Sequence, residues 1–170
     1  MGLNLPPFSV SPFTVTGKLD SKFSKLFFKV EGPHGTLSNI EPRSGKPRFT
    51  DKLWENTCFE LFLYEGPRYV EWNFATNGNW ACFKFKDERL KEEDLYFLPS
   101  PRINSKKSDV LTIEVEIPEP HRTLVTPKMF YLSCVLKTKE NSFYHGLKHP
   151  QDTPDFHNSD NYFSISRLLP

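Results

Sequence analysis

The sequence lacks several features that would assign it to a broad class at once. It has no apolar run approaching the ~20 residues of a membrane-spanning helix, so no membrane association is expected. Residues 1–12 lack a charged start and a continuous apolar core, which argues against a secretory signal and predicts a cytoplasmic protein. Neither charge predominates, with 22 Lys and Arg against 21 Asp and Glu. Without a basic stripe, no nucleic-acid partner is expected.

Cysteine is scarce, and its arrangement excludes two kinds of stabilisation. The three residues, Cys58, Cys82 and Cys134, are odd in number and widely spaced. They form neither a disulfide framework nor the close pairs of a zinc site. Each lies in a strand-like run, which predicts buried free thiols in a reducing compartment.

Two common catalytic signatures are also missing. The sequence contains no Gly-x-Ser-x-Gly elbow, which argues against a serine hydrolase. It contains no Gly-rich phosphate loop, which argues against nucleotide hydrolysis.

What the sequence does contain is aromatic residues and chain breakers. Sixteen Phe contribute to an aromatic content of 15%, and large rings of this kind fill the space between packed sheets. Fifteen Pro and eight Gly fall mostly between apolar runs, and no linker divides the chain. The length and this continuity predict a single domain over residues 1–170.

Apolar residues recur with period two, which is typical of half-buried strands. Over 110–117, Leu111, Ile113 and Val115 alternate with polar residues. The other candidate strands have the same character and span 13–18, 23–30, 57–63, 69–74, 80–85, 130–137, 142–147 and 162–167. Asn77-Gly78 predicts a tight hairpin, and 87–95 is the one helix-like stretch. These elements predict an all-β protein, an antiparallel β-sandwich.

The central strands each have an apolar face and a mixed face. The mixed faces carry five residues that we expect to converge: Glu60, Glu71, Asn73, Trp80 and Lys84. A flat ring with planar polar groups is the chemistry of a sugar-binding surface. Two alternatives stay open. One is an ordinary solvent-exposed sheet face with cross-strand Glu–Lys pairs, and the other is a glycoside hydrolase that uses Glu60 and Glu71.

Five short strings carry a family resemblance. They are LWENTCFELFL at 53–63, YVEWNF at 69–74, NGNW at 77–80, LKHP at 147–150 and PDFH at 154–157. Together they resemble the uncharacterised bacterial DOMON-like proteins, relatives of the family-nine carbohydrate-binding modules. The resemblance implies a jelly-roll-like β-sandwich with a ligand face on one sheet, in a superfamily that binds sugars or haem.

The same resemblance implies roles for individual residues. Trp54 and Trp80 are candidates for aromatic walls around a sugar, and the alternative for Trp54 is that it closes one end of the sandwich. Arg48 joins Glu60, Glu71 and Asn73 as a candidate polar contact. At Lys84 the family pattern favours Arg, and a Lys cannot make the bidentate contact of a guanidinium.

A Pro-rich loop near the C-terminus suggests a second kind of site. His149, Asp155 and His157 could together bind zinc or iron, or a His with Met129 could bind haem. The alternative is a structural clasp in which Asp155 caps a turn and the histidines bond to backbone groups.

The leading prediction is therefore a non-catalytic binding domain for a carbohydrate or similar small polyol, with no cofactor. The alternative is a haem- or metal-binding DOMON-type protein that uses the His149/His157 loop. An enzyme and a protein-interaction domain are two further hypotheses, and no oligomeric state is predicted.

Overall fold

The computed structural model describes residues 2–33, 46–150 and 152–168. Its twelve strands in those ranges are β1 (Leu3–Leu5), β2 (Thr14–Leu19), β3 (Lys25–Glu31), β4 (Cys58–Glu65), β5 (Arg68–Ala75), β6 (Trp80–Asp87), β7 (Leu90–Asp94), β8 (Arg102–Lys107), β9 (Val110–Glu116), β10 (Met129–Lys137), β11 (Ser142–Gly146) and β12 (Phe163–Ser164). The described helices are a single α-helical turn, α1 (Glu119–Arg122), and 3-10 turns at Leu53–Glu55, Ser159–Asn161 and Ile165–Leu168. None of the helices in these ranges has the length and apolar character needed to cross a membrane.

The strands form two antiparallel sheets. The first has the order β1-β2-β3-β9-β8, and the second has the order β11-β10-β4-β5-β6-β7, with β12 paired to β10. Phe28 of the first sheet packs on Phe59 of the second, with ring centroids 5.0 Å apart. The predicted antiparallel β-sandwich is confirmed, whereas jelly-roll connectivity and the single domain over 1–170 stay predictions.

Period two identified the strands of the first sheet because one face of that sheet is buried and the other is largely exposed. Leu111, Ile113 and Val115 are buried between the sheets, whereas Glu114 and Glu116, which alternate with them along the strand, are exposed. Asn77-Gly78 lies in the β5–β6 hairpin as predicted. Gly78 there has φ 93°, a conformation that costs glycine little.

The prediction of a helix-like stretch over residues 87–95 is wrong. These residues finish β6, turn, and form β7, which pairs with β6 at the sheet edge. Charged residues on an edge strand are a common protection against further pairing, and they remove the apolar alternation that would reveal a strand. Residues Arg102–Lys107, which no predicted strand covers, form β8, and the strand expected over 162–167 shrinks to β12 before a 3-10 turn.

The β5–β6 register overturns one expectation about the faces. Phe74 pairs with Trp80, and Glu71 pairs with Phe83. Directly paired residues project from the same face, so Trp80 and Lys84 lie on the face opposite Glu71. Trp80 is 1% exposed, and its Nε1–H donates to the Ser100 Oγ at 3.1 Å. Trp80 is therefore a core residue.

Replacing Trp80 should cost stability. Trp80→Ala leaves a large cavity in the core, and we expect it to lower the free energy of unfolding by about 3–5 kcal/mol. Trp54→Ala, at a 41% exposed ring, should cost about 1 kcal/mol or less. Urea unfolding followed by tryptophan fluorescence and circular dichroism measures both losses, and equal losses would contradict the core assignment.

Candidate functional site

A cleft of about 440 Å³ opens on the outer face of the second sheet. Its floor is built from β4, β5, β6 and β10, and its lining residues on those strands are Glu60, Phe62, Glu71, Phe83, Phe85 and Val135. Trp54 forms one wall, and Pro154, Phe156 and His157 of the C-terminal loop form another. This volume lies within the range of about 300–1,000 Å³ usual for small-molecule sites.

The floor contains two buried carboxyl groups. Glu60 pairs across the sheet with Asn73, and Phe62 pairs with Glu71, so the two acids are diagonal neighbours on adjacent strands. Glu60 is 3% exposed and Glu71 is 5% exposed. Diagonal neighbours on one face are close enough for long side chains to interact.

Neighbouring polar groups hold each carboxyl in place. The Ser133 hydroxyl donates to Glu60 Oε2 at 2.7 Å. The Asn73 Nδ2–H donates to Glu71 Oε1 at 2.5 Å, and the Cys58 thiol donates to Asn73 Oδ1 at 3.1 Å. Because these partners lie on the same sheet, the backbone register fixes the positions of the two acids.

Both carboxyls hold their protons more tightly than free glutamic acid. Burial, and then the nearby charge of Glu71, raise the pKa of Glu60. Burial also raises the pKa of Glu71, against smaller lowering effects from the Asn73 hydrogen bond and from Lys91 and Arg89. Two like charges in one dry site oppose each other's ionisation. The pair therefore offers both donor and acceptor oxygens near neutral pH.

His157 is the third polar group of the cleft. Burial and the Arg89 guanidinium lower its pKa to about 4, so its imidazole is neutral near pH 7. The Tyr69 hydroxyl accepts the Arg89 backbone N–H at 3.2 Å and lies 2.6 Å from His157 Nδ1. We assign the ring proton to Nε2, because Nδ1 then accepts the Tyr69 hydroxyl proton. Nε2 lies 3.8 Å from Glu71 Oε2, which is too far for a direct hydrogen bond.

Hydroxyl groups fasten the C-terminal loop over the sheet. Tyr64 donates to the His157 carbonyl at 2.6 Å, and Tyr162 donates to the Phe156 carbonyl at 2.6 Å. Asp155 Oδ1 accepts the His157 backbone N–H at 3.0 Å. These bonds keep the loop wall in a fixed position beside the floor.

The positively charged side chains of Arg89 and Lys91 lie at the mouth of the cleft, and each forms a salt bridge with an acidic residue. The Arg89 guanidinium pairs with Asp155 at 2.7 Å, and the Lys91 ammonium pairs with Asp94 at 2.8 Å. Lys91 Nζ also lies over the Phe83 ring, 4.9 Å from its centroid. The mouth is therefore close to neutral overall.

The structure brings together four of the seven expected ligand contacts. Glu60, Glu71 and Trp54 line the cleft, and Asn73 supports Glu71 from beneath. The polar groups expected at an exposed face are buried at the base of a cleft instead.

The other three expected contacts lie elsewhere. Trp80 is in the core, and Lys84, behind the sheet, pairs with Glu92 at 3.2 Å. Arg48 is exposed and contributes backbone, since its carbonyl accepts the Trp80 N–H at 3.0 Å. Placing Trp80 and Lys84 on the face of Glu60 was wrong because residue type does not reveal how a hairpin pairs its strands.

The expected metal set is not assembled. His149 donates from Nε2 to the Pro6 carbonyl at 2.9 Å, whereas Asp155 binds Arg89 and His157 faces Tyr69. Across 2–33, 46–150 and 152–168, no group of three or more His, Cys, Asp and Glu is placed to hold a metal ion. Met129 begins β10, at the end paired with β12.

Several residues that line the cleft were not among the site residues predicted from the sequence. They are Phe62, Phe83, Phe85, Arg89, Lys91, Val135, Pro154 and Phe156. Phe83 and Phe85 share a face with Glu71 because of the β5–β6 register, in which Phe74 pairs with Trp80, whereas a symmetric two-residue turn at Asn77-Gly78 would have paired Glu71 with Lys84. Arg89 and Lys91 lay in the stretch taken for a helix.

A second depression of about 580 Å³ lies on the outer face of the first sheet. Lys18, Lys25, Glu114 and Glu116 line it and are exposed. Exposed charges of both signs are an ordinary solvated sheet surface, so this larger space is a weaker candidate than the cleft with buried acids.

A solved structure resembles this fold over most of its length. It is the crystal structure of a "putative carbohydrate-binding protein" from Bacteroides uniformis ATCC 8492, with a TM-score of 0.59 and 13% sequence identity. The match covers 94% of this chain and 84% of that chain. No family model and no curated protein matches the chain. At this identity the likeness shows a shared fold, and kinship with the DOMON-like proteins stays a prediction.

The buried acids should make stability fall as pH rises. A carboxyl with a higher pKa in the folded chain favours folding while protonated, and this contribution is lost as pH rises through the folded pKa. Glu60→Gln removes the cost of ionising that position. We expect the variant to exceed the wild type by on the order of 1–2 kcal/mol at about pH 8, with a smaller gain at about pH 5.

Urea unfolding at the two pH values measures this effect. The matched control is Glu114→Gln at an exposed position on the first sheet, which should follow the wild type at both pH values. A Glu60→Gln gain that does not grow with pH would contradict the assignment of a buried, proton-holding pair.

Proposed function

We propose that this chain is a non-catalytic binding domain that takes a small carbohydrate or similar polyol in the cleft. The observation that carries the proposal is the pairing of exposed or cleft-lining aromatic rings with buried planar carboxyl groups. Trp54 packs edge-on against Phe83 with centroids 5.9 Å apart, and both line the cleft. Aromatic faces cover the apolar C–H surface of a sugar ring.

The carboxyl pair supplies the polar half of this recognition. A partly protonated pair donates and accepts hydrogen bonds, and each sugar hydroxyl does the same. Glu60 and Glu71 can therefore bond to the hydroxyl groups of a carbohydrate or polyol as donor or as acceptor. The name of the Bacteroides protein, whose fold is similar, agrees with this proposal.

Removing the exposed wall should weaken ligand binding without unfolding the protein. Trp54→Ala loses the accessible ring of the cleft, and we expect at least a ten-fold loss of affinity, about 1.4 kcal/mol, for the sugar that binds. Calorimetric titration against a panel of mono- and disaccharides measures the affinity.

The matched control is Phe97→Ala, another exposed ring that does not line the cleft. It should leave the affinity unchanged. Flat heats for every sugar with the wild-type protein would overturn the proposal, and so would equal losses in the two variants.

A further inference from the structure

The two acids at the cleft floor have no cation of their own. The charge state of Glu60 depends on its burial, on the charge of Glu71 and on the hydrogen bond from Ser133. Neither of these two neighbours is positively charged. Lys91 and Arg89 act on Glu71, but each is already paired with an acid of its own. A buried pair of acids without a counter-cation is costly to ionise, and a ligand cation would remove that cost.

One oxygen of each acid is available to a ligand. Ser133 occupies Oε2 of Glu60, and Asn73 occupies Oε1 of Glu71. Among the residues that the structure describes, Glu60 Oε1 and Glu71 Oε2 receive no hydrogen bond. Both residues line the cleft.

The aromatic lining suits a positive charge. Phe62, Phe83 and Phe85 surround the acids, and ring faces attract ammonium groups. The protein already places one ammonium in this way, since Lys91 Nζ lies 4.9 Å from the centroid of Phe83.

The remaining charges facing the floor leave it negative when the acids ionise. Lys91 with Asp94 from β7, and Arg89 with Asp155 of the C-terminal loop, form neutral pairs. His157 is uncharged near pH 7. Asp51, before the Trp54 turn, adds a further negative charge near Glu71, and the Cys58 thiol stays protonated because burial raises its pKa.

We infer that the cleft selects a sugar or polyol bearing a primary amine, whose ammonium group binds between Glu60 Oε1 and Glu71 Oε2. This inference rests on the proposed function and names its substrate class. An ammonium group carries three N–H donors, enough to reach both free oxygens and one further acceptor. On binding, the carboxyl pair releases a proton to the buffer and the ligand keeps its own, so the complex gains a charge-assisted hydrogen bond.

The test compares three forms of one sugar. Glucosamine, glucose and N-acetylglucosamine, with the matching galactose series, present an amine, a hydroxyl or an amide at one carbon. We expect the wild type to bind the amine form at least about ten-fold more tightly than the other two. Calorimetry at one pH in phosphate and in HEPES, neither of which carries a primary amine, should give different heats for the amine form, because the released proton is taken up by the buffer.

Variants tie this preference to the acids. Glu60→Gln and, separately, Glu71→Gln should each remove both the preference and the buffer-dependent heat. The matched control Glu114→Gln should retain both. A preference that survives Glu60→Gln and Glu71→Gln would overturn the inference, because the amine would then bind elsewhere.

Titration with n-butylamine separates the two proposals. Equal binding of all three sugar forms would overturn the amine inference and leave the carbohydrate proposal standing. Binding of n-butylamine that is lost in Glu60→Gln, with no binding of any sugar, would keep the amine site and overturn the carbohydrate proposal. No heat with any of these probes would overturn both.

Discussion

The pairing of β5 with its two neighbours is the constraint on which the rest of the structure depends. Glu71 lies opposite Phe62 on β4 and Phe83 on β6. This register sends Trp72 and Trp80 into the core and sends Glu71 and Phe83 outwards. A shift of one residue would exchange the two faces and bury the acids between the sheets. The core and the cleft are therefore two consequences of the same hydrogen-bond ladder.

A second layer turns an outer sheet face into a cleft. In most sandwiches such a face meets water, but here the C-terminal loop and the Trp54 turn enclose it. The loop stays in place through tyrosine hydroxyls from β4 and from Tyr162. Enclosure removes water from Glu60 and Glu71, which raises the pKa of each and gives the cleft its chemical character.

Local periodicity predicted the structure correctly where it reports burial directly. The buried-exposed alternation of β9 and the turn at Asn77-Gly78 were both read correctly. It failed at β7, where an edge strand of charged residues has no apolar face to produce a period. It also identified the right acids for the cleft but joined them to Trp80, because alternation defines two faces of each strand without saying which faces coincide.

The sequence by itself determined that this is an antiparallel β-sandwich with Glu60 and Glu71 as residues of interest, since burial on one face leaves a period of two in the chain. Trp54 was a candidate only through the family resemblance. Tertiary structure alone decided which side chains meet. Phe83 reaches Glu71 through strand register, and His157 reaches it through a loop more than eighty residues away in sequence. Contacts of that kind depend on the geometry of pairing and closure, which no local pattern of residues records.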